Sequence, residues 1–72
     1  MPFHGGFGNY RISDVDESGI PAYYGYVDKK GNWCIIEDNS TNGTYRYASG
    51  DEEYKRQWNL RTKLSYVYFH EL

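Results

Sequence analysis

The sequence predicts a small, mostly β domain of the α+β class. We expect an open antiparallel sheet of four strands, one short helix before the last strand, and an extended N-terminal arm. Three observations favour this fold. Short runs rich in Tyr, Val, Trp and Ile recur along the chain, and these residue types prefer strands. Clusters of Gly, Asn, Asp and Lys separate the runs, as in hairpin turns. A single stretch, residues 49–62, has helical spacing.

The N-terminal part is predicted to be a flexible arm and an acidic turn over residues 1–19, followed by a small β-rich domain over residues 20–72. The arm is too rich in Gly to build an element of its own. It is either a disordered terminus or an arm that lies on a neighbouring subunit, with three aromatic anchors: Phe3, Phe7 and Tyr10. The acidic residues 14–19 begin like a calcium loop but lack its closing Glu, so no metal site is predicted.

The middle of the chain is predicted to form three strands, at residues 22–28, 33–37 and 44–48, joined by turns at 29–32 and 39–43. Alternation along a strand places every second side chain on one face. One face of the first of these strands therefore carries Tyr24 and Tyr26, and one face of the third carries Tyr45 and Tyr47. Residues 33–37 are apolar on both faces, which predicts the most buried strand.

Residues 49–62 are predicted to contain a helix of two to three turns. Ser49 and Glu52 have the spacing of a capping box, in which each side chain satisfies a backbone amide of the other residue. Tyr54 and Trp58 are four residues apart and form a short apolar stripe. Residues 64–69 then resume a strand pattern and are predicted to be the last strand of the sheet.

Arg61 follows Trp58 by three residues, so its guanidinium group can stack on the indole ring. Two interpretations stay open. In one, Trp58 fixes the helix to the sheet while Arg61 binds carbonyl groups or an acidic side chain. In the other, Arg61 and exposed tyrosines form a subunit contact, because Tyr, Trp and Arg dominate the energetics of protein interfaces.

Composition limits the function. The 72 residues carry a net charge of −2 with scattered basic residues, which argues against nucleic-acid binding. No apolar run approaches the roughly 18 residues of a membrane span, and the N-terminus does not resemble a signal peptide. The one cysteine, Cys34, excludes an internal disulfide and lies in an apolar run where burial makes a thiol inert. We expect no enzyme activity, no cofactor and no small-molecule substrate, and folding in a reducing cytosol.

The aliphatic content is low for a chain that must fold alone. Nine residues are Tyr, whereas only eleven are Ile, Val, Leu or Met. A small domain with few aliphatic side chains is marginally stable, and a buried Tyr ring still needs a partner for its hydroxyl. We therefore expect the tyrosine rings to be shielded by neighbouring molecules.

Residues 36–45, Ile-Glu-Asp-Asn-Ser-Thr-Asn-Gly-Thr-Tyr, resemble the signature of forkhead-associated domains. The resemblance implies a phosphothreonine site at Ser40 or Thr41 together with Asn42. The Gly-Arg pair and the Ser-Arg-x-x-His stretch that this family carries upstream are missing here. Asn42-Gly43 is also the strongest hairpin-turn dipeptide, because both residues tolerate positive φ. The sequence thus favours a plain turn and keeps a phosphopeptide-binding adaptor as an alternative.

A second resemblance covers residues 23–68. The chain is similar to a group of small tailed-bacteriophage proteins with four features: an aromatic-Gly strand, a Trp-x-Ile strand, a Tyr-Ala-x-Gly turn and a closing Trp-x-x-Arg-x-x-Leu-x-Tyr block. The corresponding segments here are Tyr24-Gly25-Tyr26-Val27, Gly31-Asn32-Trp33-Cys34-Ile35-Ile36, Tyr45-Arg46-Tyr47-Ala48-Ser49-Gly50 and Trp58-Asn59-Leu60-Arg61-Thr62-Lys63-Leu64-Ser65-Tyr66.

This resemblance implies a structural protein of the virion, made in the cytoplasm of the host bacterium. Its partners would be other virion proteins or further copies of itself, in the tail, neck, fibre attachment or capsid surface. When many copies bind together, contacts that are each weak give a high overall affinity. The interface candidates are Phe3, Phe7, Tyr10, Tyr24, Tyr26, Tyr45, Tyr47, Trp58 and Arg61. A module that stacks single-stranded nucleic acid on the tyrosine face is a further alternative.

Overall fold

The computed structural model describes residues 8–72. The predicted four-stranded antiparallel sheet is confirmed, and its strands follow one another in space in chain order. They are β1 (Arg11–Asp16), β2 (Ala22–Val27), β3 (Trp33–Asn39) and β4 (Thr44–Gly50). The predicted arm residues Phe3 and Phe7 lie outside the described residues.

One short helix follows the sheet, as predicted. This helix, α1 (Tyr54–Asn59), leads into a 3₁₀ turn at Arg61–Lys63, and a second 3₁₀ turn, Phe69–Glu71, lies near the end of the chain. Between the two turns, Val67 forms an antiparallel bridge with Tyr47 of β4. Its two backbone hydrogen bonds have N–O distances of 2.7 and 2.9 Å.

The membership of the sheet differs from the prediction. Strand β1 lies within the segment 1–19 that the sequence assigned to the arm and the acidic turn. In turn, the strand predicted at residues 64–69 is reduced to the bridge at Val67. The reason is that Leu64 and Tyr66 pack on one side of the sheet while Phe69 packs on the ring of Tyr47 on the other. The closing segment therefore crosses the edge of β4 and does not run along it.

The predicted capping box is wrong. Ser49 belongs to β4, and α1 begins at Tyr54 after Glu53, which makes no side-chain cap hydrogen bond. The helix has only six residues, too few for intrinsic helix stability in water. Its position therefore depends on packing against the sheet, above all on the buried side chain of Trp58.

Two apolar clusters lie on the two sides of the sheet. The first face, which α1 covers, carries Tyr23, Trp33, Ile35 and Ala48, with Trp58 packed on them. The second face carries Tyr26, Cys34, Ile36 and Tyr47, with Tyr10 and Tyr24 partly buried beside them. Residues 33–36 of β3 are buried on both faces, which confirms the prediction that this strand is the most buried.

The expectation that tyrosine rings need other molecules for shielding is wrong for three of them. Tyr23, Tyr26 and Tyr47 are 5–7% exposed in the single chain. A sheet with an apolar cluster on each side offers two surfaces on which rings can pack, so a chain poor in aliphatic residues buries aromatic ones instead. The alternation predicted along β2, β3 and β4 is confirmed by the pairing register.

Candidate interaction surface

The structure separates the predicted interface residues into three groups. Tyr26, Tyr47 and Trp58 are buried in the chain's own clusters. Tyr10, Tyr24 and Arg61 are half-buried, and Tyr45 is exposed. Only the last two groups offer side-chain surface to a partner. Phe3 and Phe7 belong to the segment that the structure does not describe.

Trp58 fixes α1 to the first face directly above β2. Gly25 provides the space, because a Cβ atom at this position would lie 2.9 Å from Trp58 Cε3 and would overlap the Tyr54 hydroxyl. That hydroxyl donates a 2.9 Å hydrogen bond to Asp14 of β1. Its burial, together with this bond to a carboxylate, raises the pKa of Tyr54, so the group remains a donor at physiological pH. The helix is thus connected to two neighbouring strands.

Arg61 makes a second connection between the helix and β1. Its Nη2 and Nε atoms donate to Asp16 Oδ2 at 2.8 and 3.1 Å, and its Nη1 atom donates to the carbonyl of Trp58 at 3.0 Å. The guanidinium carbon lies 4.6 Å from the centre of the Trp58 ring, so the predicted stacking is confirmed. All three nitrogen atoms of this guanidinium donate within the chain, which favours the interpretation of Arg61 as an internal connection.

The closing block has a structural explanation on this geometry. Trp58 fills the first-face cluster, Leu64 and Tyr66 pack against the same cluster, and the Tyr66 hydroxyl donates 2.7 Å to the carbonyl of Arg61. The Trp-x-x-Arg-x-x-Leu-x-Tyr spacing therefore allows the chain to turn after α1 and run back over the sheet. The residues of the closing block thus stabilise the fold, and we expect the binding surface among other residues.

The connection between Asp16 and Arg61 predicts a loss of stability in acid. Hydrogen bonds from Ser18 and Arg61 lower the pKa of Asp16 from 3.8 to about 2. The Asp16 carboxyl group therefore binds a proton less tightly in the folded state than in the unfolded state. As a result, the ionised carboxylate stabilises the fold above pH 4, and this stabilisation is lost as the pH falls towards 2. We expect the urea midpoint of the wild-type chain to fall over this interval and that of Asp16→Asn to change less. The exposed Asp51→Asn variant is the control, and its urea midpoint should fall as that of the wild type does. If the midpoint of Asp16→Asn fell equally, the acid sensitivity would not come from the connection between Asp16 and Arg61.

The exposed apolar side chains of the strands lie on the second face. In the strands, the large hydrophobic residues that are exposed are Ile12 (48%), Val15 (52%) and Tyr45 (44%). The register places all three on the same side as Tyr24, because Ile12 pairs with Tyr26, Val15 pairs with Tyr24, and Tyr45 lies two residues from Tyr47. We call Ile12, Val15, Tyr24 and Tyr45 the apolar band. Scattered exposed hydrophobic residues are ordinary, whereas a group that shares one face of the sheet is a candidate binding surface.

Ile12 and Val15 are not among the interface residues predicted from the sequence. They are three residues apart, which in a regular strand would place them on opposite faces. The pairing register shifts between Ile12 and Asp14, however, so Ser13 is the extra residue of a β-bulge. The bulge returns Val15 to the face of Ile12 and hides the strand period from a pattern search.

Tyr24 is held in a fixed orientation at the centre of the band. Its hydroxyl donates 2.7 Å to Glu17 Oε2, and this hydrogen bond is the main cause that raises the pKa of Tyr24 to about 12. The phenol therefore stays protonated, and its ring is oriented before any partner arrives. A side chain with few remaining rotamers loses little conformational entropy on binding.

The loop after β3 is a hairpin turn. Asn39 pairs with Thr44, and the Asn39 side chain accepts a 3.1 Å hydrogen bond from the backbone of Asn42. Residues 40–43 lie between this pair, so the turn is longer than a two-residue Asn-Gly turn. Gly43 has a φ of 68° and Asn42 does not enter the positive-φ region, so the turn is also not of type I′. The nearby Arg46 is bound to Glu37 with a 2.6 Å contact, so its charge is compensated within the sheet.

The chemical groups that the described residues offer are few. Cys34 is buried between β2 and β4, and burial raises the pKa of its thiol to about 12, which keeps it in the unreactive protonated form. Within residues 8–72, no three His, Cys, Asp or Glu side chains cluster as metal ligands would. None of the helices described is both long and apolar enough to cross a membrane.

The apolar band is thus the candidate site, carried by β1, β2 and β4 and separated from the internal connections of the first face. Comparison of the chain with protein-family models, with curated proteins and with solved structures gave no match.

Proposed function

We propose that the chain is a non-catalytic structural subunit of a tailed-bacteriophage particle that binds neighbouring protein subunits through the apolar band. The observation that carries the binding role is the restriction of the exposed strand hydrophobics to the second face. The particle context comes from the resemblance of residues 23–68 to small phage proteins. The closing block of that resemblance is accounted for by the fold, so the resemblance supports a shared scaffold.

The chemistry of the apolar band favours a protein partner. Its side chains are two aliphatic residues and two tyrosines, a combination that buries apolar area and keeps polar atoms at its rim. Tyr24 and Tyr45 present rings with few degrees of freedom, which suits a contact that must form in many copies. A weak contact of this kind becomes a stable attachment when several copies act together.

The role is tested by incorporation into particles. We expect density-purified particles of the phage that encodes the chain to contain it in several copies, as measured by quantitative mass spectrometry against the capsid protein. A tagged Tyr45→Ser chain, supplied during infection, should be incorporated about tenfold less than the tagged wild type, which corresponds to a loss of about 1.4 kcal/mol of binding free energy.

Leu60→Ser is the matched control for that experiment. Leu60 is exposed to a similar extent, at 37%, but it follows α1 and is not part of the apolar band. It should be incorporated like the wild type. If the chain remains in the lysate and is missing from purified particles, the proposed function is wrong. If Tyr45→Ser enters particles as well as Leu60→Ser does, the apolar band is not the attachment surface.

A further inference from the structure

The two outer strands of the sheet have different edges. The closing segment crosses the edge of β4, where the backbone N–H and C=O groups of Tyr47 form hydrogen bonds with those of Val67. Strand β1 is the first in the sheet order, and its outer side pairs with no other strand in the described part of the chain. An unpaired strand edge presents a row of N–H and C=O groups on which another strand can add.

The sequence of β1 is complementary to that of a second β1 strand that runs in the opposite direction. The strand has the sequence Arg-Ile-Ser-Asp-Val-Asp over positions 11–16. When two copies run antiparallel about the Ser13-Asp14 step, Arg11 faces Asp16 and Ile12 faces Val15. Pairs of opposite charge and pairs of β-branched side chains both stabilise neighbouring strands.

The bulge makes this arrangement possible. A two-fold axis perpendicular to a sheet brings residues of the same face opposite one another, as any antiparallel pairing requires. In a regular strand, positions 12 and 15 would lie on opposite faces. Because of the extra residue at Ser13, Ile12 pairs with Tyr26 and Val15 with Tyr24, which are two residues apart on β2 and share the second face.

We propose that two copies of the chain join through β1, antiparallel about a two-fold axis, and extend the four-stranded sheet to eight strands. Ile12 then packs against the partner's Val15 on the second face. On the first face, Arg11 lies opposite the partner's Asp16 and becomes a second guanidinium beside a carboxylate that already binds Arg61 of its own chain. The inference builds on the proposed function, since it names one of the protein partners that the function needs. An isologous contact of this kind closes on itself and yields a dimer.

The charges near the axis are compatible with the dimer. Asp14 lies beside the axis, opposite the partner's Ser13 and close to the partner's Asp14, but each Asp14 carboxylate accepts a hydrogen bond from Tyr54 and lies 3.5 Å from Lys55 of the same chain. Among residues 8–72, Arg11 donates to the carbonyls of Gly8 and Tyr10 and to no carboxylate, so its guanidinium can turn to a new acceptor. Charged residues and a bulge normally protect an edge strand from indiscriminate pairing. In β1, the charged residues and the bulge favour the register in which Arg11 lies opposite the partner's Asp16.

The interface is small, because each copy contributes one six-residue strand. Contacts of this size are weak or transient, so the dimer should be concentration-dependent. Sedimentation of the full chain from about 10 µM to about 1 mM should show a monomer–dimer equilibrium. The double variant Ile12→Thr/Val15→Thr keeps two β-branched residues that favour strands, and its dimerisation should weaken by about tenfold or more.

Tyr45→Thr is the control, since Tyr45 is an exposed residue of the same face on the opposite edge strand. It should dimerise like the wild type. A wild-type chain that stays monomeric over the whole concentration range would overturn the proposal, and so would a double variant that dimerises as well as Tyr45→Thr. Circular dichroism spectra that match the wild type verify that each variant is folded.

The register is tested by disulfide formation. In the proposed pairing, position 12 lies opposite position 15 of the partner copy, within the Cα separation that a disulfide spans. A mixture of Ile12→Cys chains and Val15→Cys chains should form a covalent dimer under mild oxidation, in preference to either chain alone. The native Cys34 is buried and stays out of the reaction. Equal yields from the mixture and from the single variants would contradict the register.

The two proposals fail independently. A chain that is found in particles but is monomeric in solution and gives no preferential disulfide would disprove the β1 dimer and leave the structural role in the particle intact. A chain that dimerises through β1 but is missing from purified particles would disprove that role and confirm the dimer.

Discussion

Replacement of Gly25 by alanine is expected to destabilise the domain by about 3 kcal/mol, because the helix leaves no space for a side chain above this position. A Cβ atom would overlap the hydroxyl of Tyr54 and lie 2.9 and 3.0 Å from Trp58 Cε3 and Tyr54 Cζ. Both rings are held by other contacts: Trp58 packs in the first-face cluster, and Tyr54 binds Asp14. Neither ring can withdraw without disturbing the connection between α1 and the sheet.

Urea unfolding monitored by circular dichroism measures this loss. In the Tyr54→Phe background the same replacement should cost less, because the closest of the overlapping atoms is removed; contacts with Trp58 remain, so the rescue is partial. Gly19→Ala is the control, since nothing lies within 4 Å of a Cβ atom there and its φ is not positive. It should stay within about 0.5 kcal/mol of the wild type. A Gly25→Ala variant as stable as Gly19→Ala would show that α1 does not pack on β2 in this way.

The middle of the fold was predictable because its signals are local. Strands β2, β3 and β4 are runs of Tyr, Val, Trp and Ile, and each hairpin turn contains Asn and Gly close to the strands that it joins. In the first turn, Asp28 accepts hydrogen bonds from the backbone of Lys30 and from both the backbone and the side chain of Asn32. Residues within five positions of one another therefore determine this part of the sheet.

Strand β1 was not predictable because its partners are distant in the sequence. Asp14 binds Tyr54 and Asp16 binds Arg61, contacts that span 40 and 45 residues. Two aspartates alternating with Ser and Val resemble a solvated turn when these partners are not known. The bulge at Ser13 adds to the difficulty, since it breaks the period-two pattern that identifies strands.

The candidate site was only partly predictable for a related reason. The sequence identified aromatic residues as binding surface, and the fold buries three of the six that lie within residues 8–72, because apolar clusters form on both sides of the sheet. Tyr24 and Tyr45 remain from that prediction. Ile12 and Val15, which complete the apolar band, are the two exposed aliphatic residues that lie in strands. Which apolar residues stay exposed depends on where the helix docks, and that is a tertiary property.

The largest effect is expected for Trp58→Ala, which should lower the free energy of unfolding by about 4 kcal/mol. Trp58 is the buried residue of α1, and its ring is shared by the first-face cluster, the guanidinium of Arg61 and the space above Gly25. A domain of 72 residues has a total stability of about 4 to 11 kcal/mol. Removal of this one side chain thus takes away about a third or more of the total stability.

Two further variants separate the role of the ring from that of the helix surface. Trp58→Phe keeps part of the buried area and should lose less than half as much stability, whereas Leu60→Ala, at an exposed position, should lose less than about 1 kcal/mol. Relative to the wild type, Trp58→Phe should reduce hydrogen-exchange protection more in β1 than in β3, because β1 is connected to the helix through Asp14 and Asp16 while β3 is paired on both sides. If β1 and β3 lost protection equally, the helix would not be what holds β1 in the sheet, and the edge available to a second copy would depend on the β1–β2 pairing alone.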